Sequence, residues 1–377
     1  MNMLVAPPPL PDTPKQVVFT GKRDAFRKLV TRGAALEVIT AGFYRFWLAT
    51  DMRRHVWSHT ELDGDSFEYT GRARELFIGF LIAMAILVPI YLIYFVIGIY
   101  AEQAQAFASF PLFLFFYMFG QFATYRARRY RLTRTVWRGV RLWMDGSGWS
   151  YAWRATLWGM LVALTLGLAW PWREAALERY KMRHTYYGDL QGDFVGTGWE
   201  FFKRGWGLWL ASPFMLLLIP IPFIYGAFKA IEWKWWVEGL RFGDVSFRST
   251  LRSDALISRY WAAVGWSMLA YTGIGIYAGA ATTLYVQISG VPLNELLASG
   301  HFLRAAPMLV ILGIGYIAMV LVMNVAIRVT LFRDVWQRVV SSVVVSRLDT
   351  AANVAAKGEL VSALGEGIAD GLDVAGF

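Results

Sequence analysis

The sequence has no cysteine and only four histidines. Without cysteine there are no disulfides, iron–sulfur clusters or thiolate zinc sites. Charge is also scarce: Asp, Glu, Lys and Arg make up 17% of the 377 residues, where soluble domains carry roughly 25%. The N-terminal stretch Met1–Lys15 is rich in proline and lacks an apolar h-region. Residues 1–15 therefore read as a short disordered tail, not a cleavable signal peptide. Nucleophile elbow, Walker loop and dinucleotide fingerprint are all missing. The nearest approach, Asp145-Gly146-Ser147-Gly148, has no lysine after it and reads as a turn. No cofactor and no catalytic residue are expected.

What fills the composition instead is apolar and aromatic. Hydrophobic residues reach 56% and aromatics 16%, with 18 tryptophans, a residue that favours the membrane–water interface. The net charge of +10 lies in segments flanking apolar runs, which points to anionic membrane lipids as partners and away from nucleic acid. Four stretches are long and apolar enough to cross a bilayer: 76–100, 106–125, 261–286 and 305–327. Segments 155–172 and 205–228 are broken by Gly167 and Pro171, and by Pro213, Pro220 and Pro222, so they read as spanning or re-entrant. Segment 29–47 holds Arg32, Glu37 and Arg45 and suits an interfacial helix.

The linkers between these segments resemble one another. The first runs Arg53-Arg54, His59-Thr60, Gly64-Asp65, Phe67-Glu68-Tyr69-Thr70-Gly71; the third runs Arg179, Arg183, His184-Thr185, Gly188-Asp189, Phe194 to Gly198. The fourth holds Trp235-Trp236, Gly243-Asp244 and Phe247 to Thr250, and the second is more diverged, with Arg138-Gly139 and Asp145-Gly146. Val17 to Gly21 matches only the end of this unit, and a last copy at 328–345 keeps Arg333 and Trp336 without the Gly-Asp turn. Each unit reads as a basic interfacial helix, a Gly-Asp turn and a short strand. Gly64, Asp65, Gly188, Asp189, Gly243 and Asp244, with His59 and His184, are thus structural motif residues.

These features predict a mainly α, polytopic helical membrane protein with tandem repeats over residues 16–345 and short β-strands in cytoplasmic linkers. An amphipathic, acidic tail is expected over 346–377. The loops at 101–105 and 287–304 are nearly devoid of Lys and Arg while the linkers are rich in them. That contrast puts the linkers and both termini in the cytoplasm of a multi-pass inner-membrane protein.

Laid out this way, the chain resembles the YjgN-like family of bacterial inner-membrane proteins, a family of unknown function. The resemblance rests on Gly42-Phe43-Tyr44-Arg45-Phe46-Trp47, Trp57-Ser58-His59-Thr60 and Phe67 to Gly71, on the second copy at Thr165 to Asp189, and on the acidic tail near Gly365-Glu366. It implies a membrane location and no catalytic residues.

Two constellations carry candidate chemistry. Asp51, His55 and His59 fall on one helical stripe at metal-ligand spacing, though the bland reading has His59 capping its helix. The cluster Arg126, Arg128, Arg129, Arg131 and Arg134 suits anionic lipid headgroups. The firm spans hold no ionisable residue, which disfavours proton-coupled transport. Transport or lipid handling at the cytoplasmic leaflet is the first functional expectation. A non-catalytic membrane scaffold is the second, and a metal-dependent membrane enzyme the third.

Overall fold

The structure of the chain is a computed structural model, and it describes residues 13–100, 102–296 and 302–358. Of the tail expected at 1–15, residues 1–12 lie outside the described residues and Lys15 opens the first strand. Of the acidic tail expected at 346–377, residues 359–377 lie outside them.

The chain alternates β-strands with pairs of antiparallel helices. Strand β1 (Lys15–Phe19) leads to helices α1 (Arg23–Ile39) and α2 (Arg45–Ser58), then to strands β2 (Thr60–Leu62) and β3 (Asp65–Tyr69). The pattern continues through α3 (Ala73–Tyr100), α4 (Glu102–Thr133), β4 (Thr135–Trp137), β5 (Val140–Met144), α5 (Gly148–Leu164) and α6 (Trp170–Arg183). Next come β6 (Thr185–Tyr187), β7 (Leu190–Phe194), α7 (Gly198–Ala211), α8 (Ile221–Gly239), β8 (Leu240–Phe242) and β9 (Val245–Ser249). The last elements are α9 (Ile257–Ser289), α10 (Leu293–Leu296), α11 (Phe302–Ile327), α12 (Asp334–Val340) and β10 (Val343–Ser346).

All ten strands close one antiparallel barrel, in the order β1-β10-β9-β8-β7-β6-β5-β4-β3-β2. This corrects the polytopic helical reading of the sequence. Among the described residues only two helices, Ala73–Ile99 and Ala305–Val340, are long and apolar enough to cross a membrane. The reason is physical: strands of three to five residues carry too little alternation to stand out, and their partners lie in different linkers. From sequence each reads as a short redirecting strand able to join a small sheet, whereas closure of all ten into one barrel makes them the organising element.

The hairpins share one register. Leu62 faces Asp65, Trp137 faces Val140, Tyr187 faces Leu190 and Phe242 faces Val245 across their turns. The fifth hairpin is assembled from the two ends of the chain: Val345 of β10 faces Lys15 of β1. The element at Val17 to Gly21 and the turn-less copy at 328–345 are thus complementary halves. Alternate residues point inward, as the period of a strand requires. Val17, Leu62, Trp137, Tyr187, Val245 and Val345 pack together there with Phe67, Phe242 and Phe247, so the interior is filled. After β10 the chain folds back over the turn end of the barrel. Leu348, Ala351 and Val354 join the interior cluster, and the Ala355 amide donates to Asp189 Oδ1 at 3.0 Å.

Helices leave and re-enter the other end of the barrel. Segment 29–47 is not one helix but the turn between α1 and α2. Segment 155–172 holds the α5–α6 turn, built the same way. Thr40 and Thr165 hydroxyls donate to the carbonyls of Leu36 and Leu161, both at 2.8 Å, and accept from the amides of Tyr44 and Ala169. Gly42 (φ +89°) and Gly167 (φ +92°) supply the left-handed backbone that reverses the chain. Segment 205–228 reverses through a 3₁₀ turn at Ser212–Leu217 and Leu218. Consequently the second, third and fourth linkers lie on one side, in one barrel.

Candidate functional site

The collar where helices meet strands holds the chain's recurring polar residues. In each of the first three linkers an arginine one to two turns before the strand reaches forward to the glycine just after the second strand. Arg54 Nη2 donates to the Gly71 carbonyl at 2.7 Å, Arg129 Nη1 to Gly146 at 3.4 Å and Arg179 Nη2 to Gly196 at 3.2 Å. At the split hairpin Arg333 Nη2 donates to Gly21 at 2.5 Å. Glycine is needed there because the chain passes under an aromatic ring two residues back: a Cβ on Gly71 would sit 2.6 Å from the Tyr69 ring, and one on Gly196 2.7 Å from Phe194. The Phe/Tyr-x-Gly signature is therefore a packing constraint, and the guanidinium satisfies the carbonyl it leaves at the helix boundary.

The threonines of the two His-Thr pairs, and Thr135 after Arg134, cap helix ends. Thr60, Thr135 and Thr185 hydroxyls donate to the carbonyls of Val56, Arg131 and Lys181 at 2.8, 2.9 and 2.8 Å. His59 Nδ1 donates to the His55 carbonyl at 2.6 Å, and His184 Nδ1 to Tyr180 at 2.7 Å. Gly64, Gly188 and Gly243 take positive φ in the hairpin turns, with Asp65 opening β3 and Asp189 and Asp244 completing their turns.

The metal candidate is not assembled as a ligand set. Asp51 lies 4.0 Å from Arg54, and His55 and His59 stack with ring centroids 4.2 Å apart. Among the described residues no group of three His, Asp or Glu side chains is placed to hold a metal ion. His55 is pressed against Phe26, and its Nε2 is buried without a partner. Burial, then the charges of His59 and Arg333, lower its pKa to about 4, so it is neutral near pH 7.

The arginine cluster is split among tasks. Arg128 pairs with Glu178 at 2.9 Å and Arg134 with Glu75 at 2.7 Å, while Arg129 makes the carbonyl contact above. Arg126 and Arg131 also lie on α4. Glu178 is a hub between linkers: it takes Arg128, Lys181 and, at 3.0 Å, the Trp236 indole. Burial alone would raise its pKa, but the charges of Lys181 and Arg128 outweigh that and bring it to about 2.

A second cationic group sits at the seam between the chain's two ends. Asp334 accepts Arg333 at 2.7 Å, Arg259 at 3.0 Å and Arg23 at 3.1 Å. Arg338 stands beside them, bonded to the Ala255 carbonyl and to Ser258 Oγ.

A family model described as a bacterial protein of unknown function (DUF898) matches residues 14–232 and, overlapping, 192–344. The chain belongs to this family. It is the YjgN-like family that the linker motifs resemble. No curated protein and no solved structure matches the chain. The matched region of this DUF898 member starts just before β1 and ends within β10, so it coincides with the closed barrel and its helices.

The seam cluster went unnoticed in the sequence because its members are spread from residue 23 to residue 338. The pairing of β10 with β1 on one side and β9 on the other brings them together. The one local signal was the lone Arg333 in a copy that had lost its turn.

Proposed function

We propose that this protein is a non-catalytic scaffold of the bacterial cytoplasmic membrane, in which five copies of one helix-pair-and-hairpin module present a filled β-barrel at the leaflet surface. The observation that carries this reading is the apolar character of the short helix pairs' far ends. Ile39 and Phe43 are exposed at the first turn, Leu166 is 88% exposed at the second, and Leu216 is 86% exposed at the third. Trp149, Trp153, Trp199 and Trp206 are exposed on α5 and α7, where indoles suit the headgroup level. Tips of this kind are costly in water and stable within acyl chains. Helices α3 and α11 supply the long apolar anchors, and their side chains are largely uncovered by protein.

Two further features support the details. The collar's arginines favour an anionic leaflet and a barrel on the cytoplasmic side. Transport, the first expectation from sequence, needs a path, whereas the barrel interior is occupied by Trp137, Tyr187, Phe242 and their neighbours. A packed barrel suits a docking platform better than a conduit.

The native chain has no cysteine, which makes single-cysteine mapping clean. Leu166→Cys and Leu216→Cys should resist a water-soluble maleimide in native membranes and react with a membrane-dissolved one. Gln191→Cys, on the barrel, should react from the cytoplasmic side only. Equal aqueous labelling at all three positions would sink the membrane-seated reading.

A further inference from the structure

The seam cluster has more positive charge than it can neutralise internally. Arg23, Arg259, Arg333, Arg338 and Asp334 line one open cleft of about 400 Å³, with Ser341 at its edge. Four guanidiniums share one carboxylate, which leaves a net charge of +3. Asp334 is already saturated, since its two oxygens accept from three arginines. Arg333 and Asp334 are each only 6% exposed, whereas Arg259 is 26% and Arg23 53% exposed, so the excess charge faces the mouth of the cleft, where an anion can reach it. In addition, Nε of Arg259 and Nε of Arg333 are buried without any hydrogen-bond partner. Buried N–H groups of charged side chains are costly when unpaired.

An internal structural role accounts for only part of this. Arg333 clamps Gly21 and is steadied by Gln337 at 2.7 Å. One arginine would suffice for the clamp, as Arg54 and Arg179 show in the other hairpins. Arg259 and Arg23 add nothing to it. They converge from the starts of α9 and α1, which are the helix ends that carry positive dipole.

We propose that this cleft binds a phosphate group, held by Arg23, Arg259 and Arg338 over the Arg333–Asp334 pair. The choice of phosphate follows from its chemistry. A phosphate monoester carries up to two negative charges and three terminal oxygens, which matches several converging planar forks better than a single carboxylate does. Either of two sources offers that chemistry: a free phosphate compound, or the headgroup of a phospholipid, since α11 leads straight into the π-turn Arg328–Arg333 that bears the site. The site stands on its own geometry, whichever way the scaffold reading resolves.

The test uses the full chain in detergent at low ionic strength. One arm titrates inorganic phosphate by calorimetry. The other incorporates the protein into nanodiscs of phosphatidylcholine with or without phosphatidic acid and follows bound lipid by native mass spectrometry. Saturable binding is expected in at least one arm, and which arm responds identifies the source. Arg23→Gln and Arg259→Gln should each weaken it about ten-fold, the usual size of one charge-assisted hydrogen bond lost. Arg183→Gln, at a barrel-flank arginine paired with Asp193, should leave it unchanged. Arg23 is 53% exposed on the rim, so its variant keeps the fold if the Arg259 variant does not. No saturable binding in either arm, or equal weakening by Arg183→Gln, overturns the proposal.

Discussion

The first hairpin, β2–β3, and the fifth, β10–β1, make the same ladder but differ in one covalent link. Asp63 and Gly64 join the strands of the first, and they meet for the entropy of closing a two-residue loop. The fifth is closed by residues at opposite ends of the described chain, so its pairing carries the closure entropy of nearly the whole described chain. Register is nevertheless conserved: Val344 faces Gln16 as Glu61 faces Ser66. The turn is therefore not what sets the register. It is set by inward-facing side chains, because a slip of one residue would turn them out. What the seam lacks in connectivity it replaces with a side-chain contact. Gln16 Nε2 donates to the Ser341 carbonyl at 2.8 Å, whereas the Trp336–Thr60 bond at 3.1 Å only repeats the Trp57–Thr135 bond of 3.0 Å beside the first hairpin.

The sharpest way to break the comparison is to remove one half of the split hairpin. Deleting residues 13–21 strips β1 from both of its neighbours, β10 and β2, and leaves two barrel edges open. The expected outcome is loss of cooperative thermal unfolding and rapid proteolysis at the collar. A peptide covering the deleted residues should restore protease resistance in part. An unchanged melting transition would show that closure is dispensable.

Next in size are the clamps. Arg333→Ala removes the Gly21 contact and one of the three arginines on the buried Asp334 carboxylate, which keeps Arg259 and Arg23, a change worth about 1.5–3 kcal/mol. Arg54→Ala loses its Gly71 bond from a half-exposed side chain and should cost about 1 kcal/mol. Melting temperatures of the two variants, measured side by side, test whether the seam carries the larger load.

The glycines should not distinguish the two hairpins. Gly21→Ala and Gly71→Ala each drive a Cβ to 2.6 Å from the ring of Phe19 or Tyr69. Overpacking of that kind costs about 1–3 kcal/mol, and similar losses in melting temperature are expected for both. A large difference would mean the two collars are not packed alike.

The smallest effect is a pH dependence confined to the seam side. The pKa of His55 is lowered to about 4 from 6.5, by burial first and then by His59 and Arg333. The folded chain thus binds fewer protons than the unfolded one between those values, and stability rises with pH across that window. Its contribution is fully present above about pH 6.5 and is lost as pH falls toward 4. His55→Gln should flatten this limb of the melting-temperature profile and leave the neutral value nearly unchanged.

Much of the linker chemistry was legible because it is local. The Gly64, Gly188 and Gly243 turns, the Phe/Tyr-x-Gly ends and the His59 and His184 caps each depend on residues within one turn of helix or one strand. The reversal at Gly167 was flagged by a broken apolar run, whereas the one at Gly42 was hidden inside a segment read as a single interfacial helix. Of the four runs read as firm spans, 76–100 and 305–327 fall in helices long and apolar enough to cross a membrane, while 106–125 and 261–286 do not meet that test among the described residues. Arg128 and Arg129 were seen as one lipid-facing cluster, yet their partners, Glu178 and Gly146, lie in other elements.

By itself, the sequence determined the richness in apolar runs, the places where the chain turns, and the family to which it belongs. Those properties are set by composition and by neighbours a few residues apart. Only the tertiary structure decided that ten short strands form one closed ring, that its first and last strands are halves of one hairpin, and that four arginines converge on Asp334. Strand pairing joins residues hundreds of positions apart through backbone groups that every residue shares, so side-chain identity alone carries almost no record of which strand meets which.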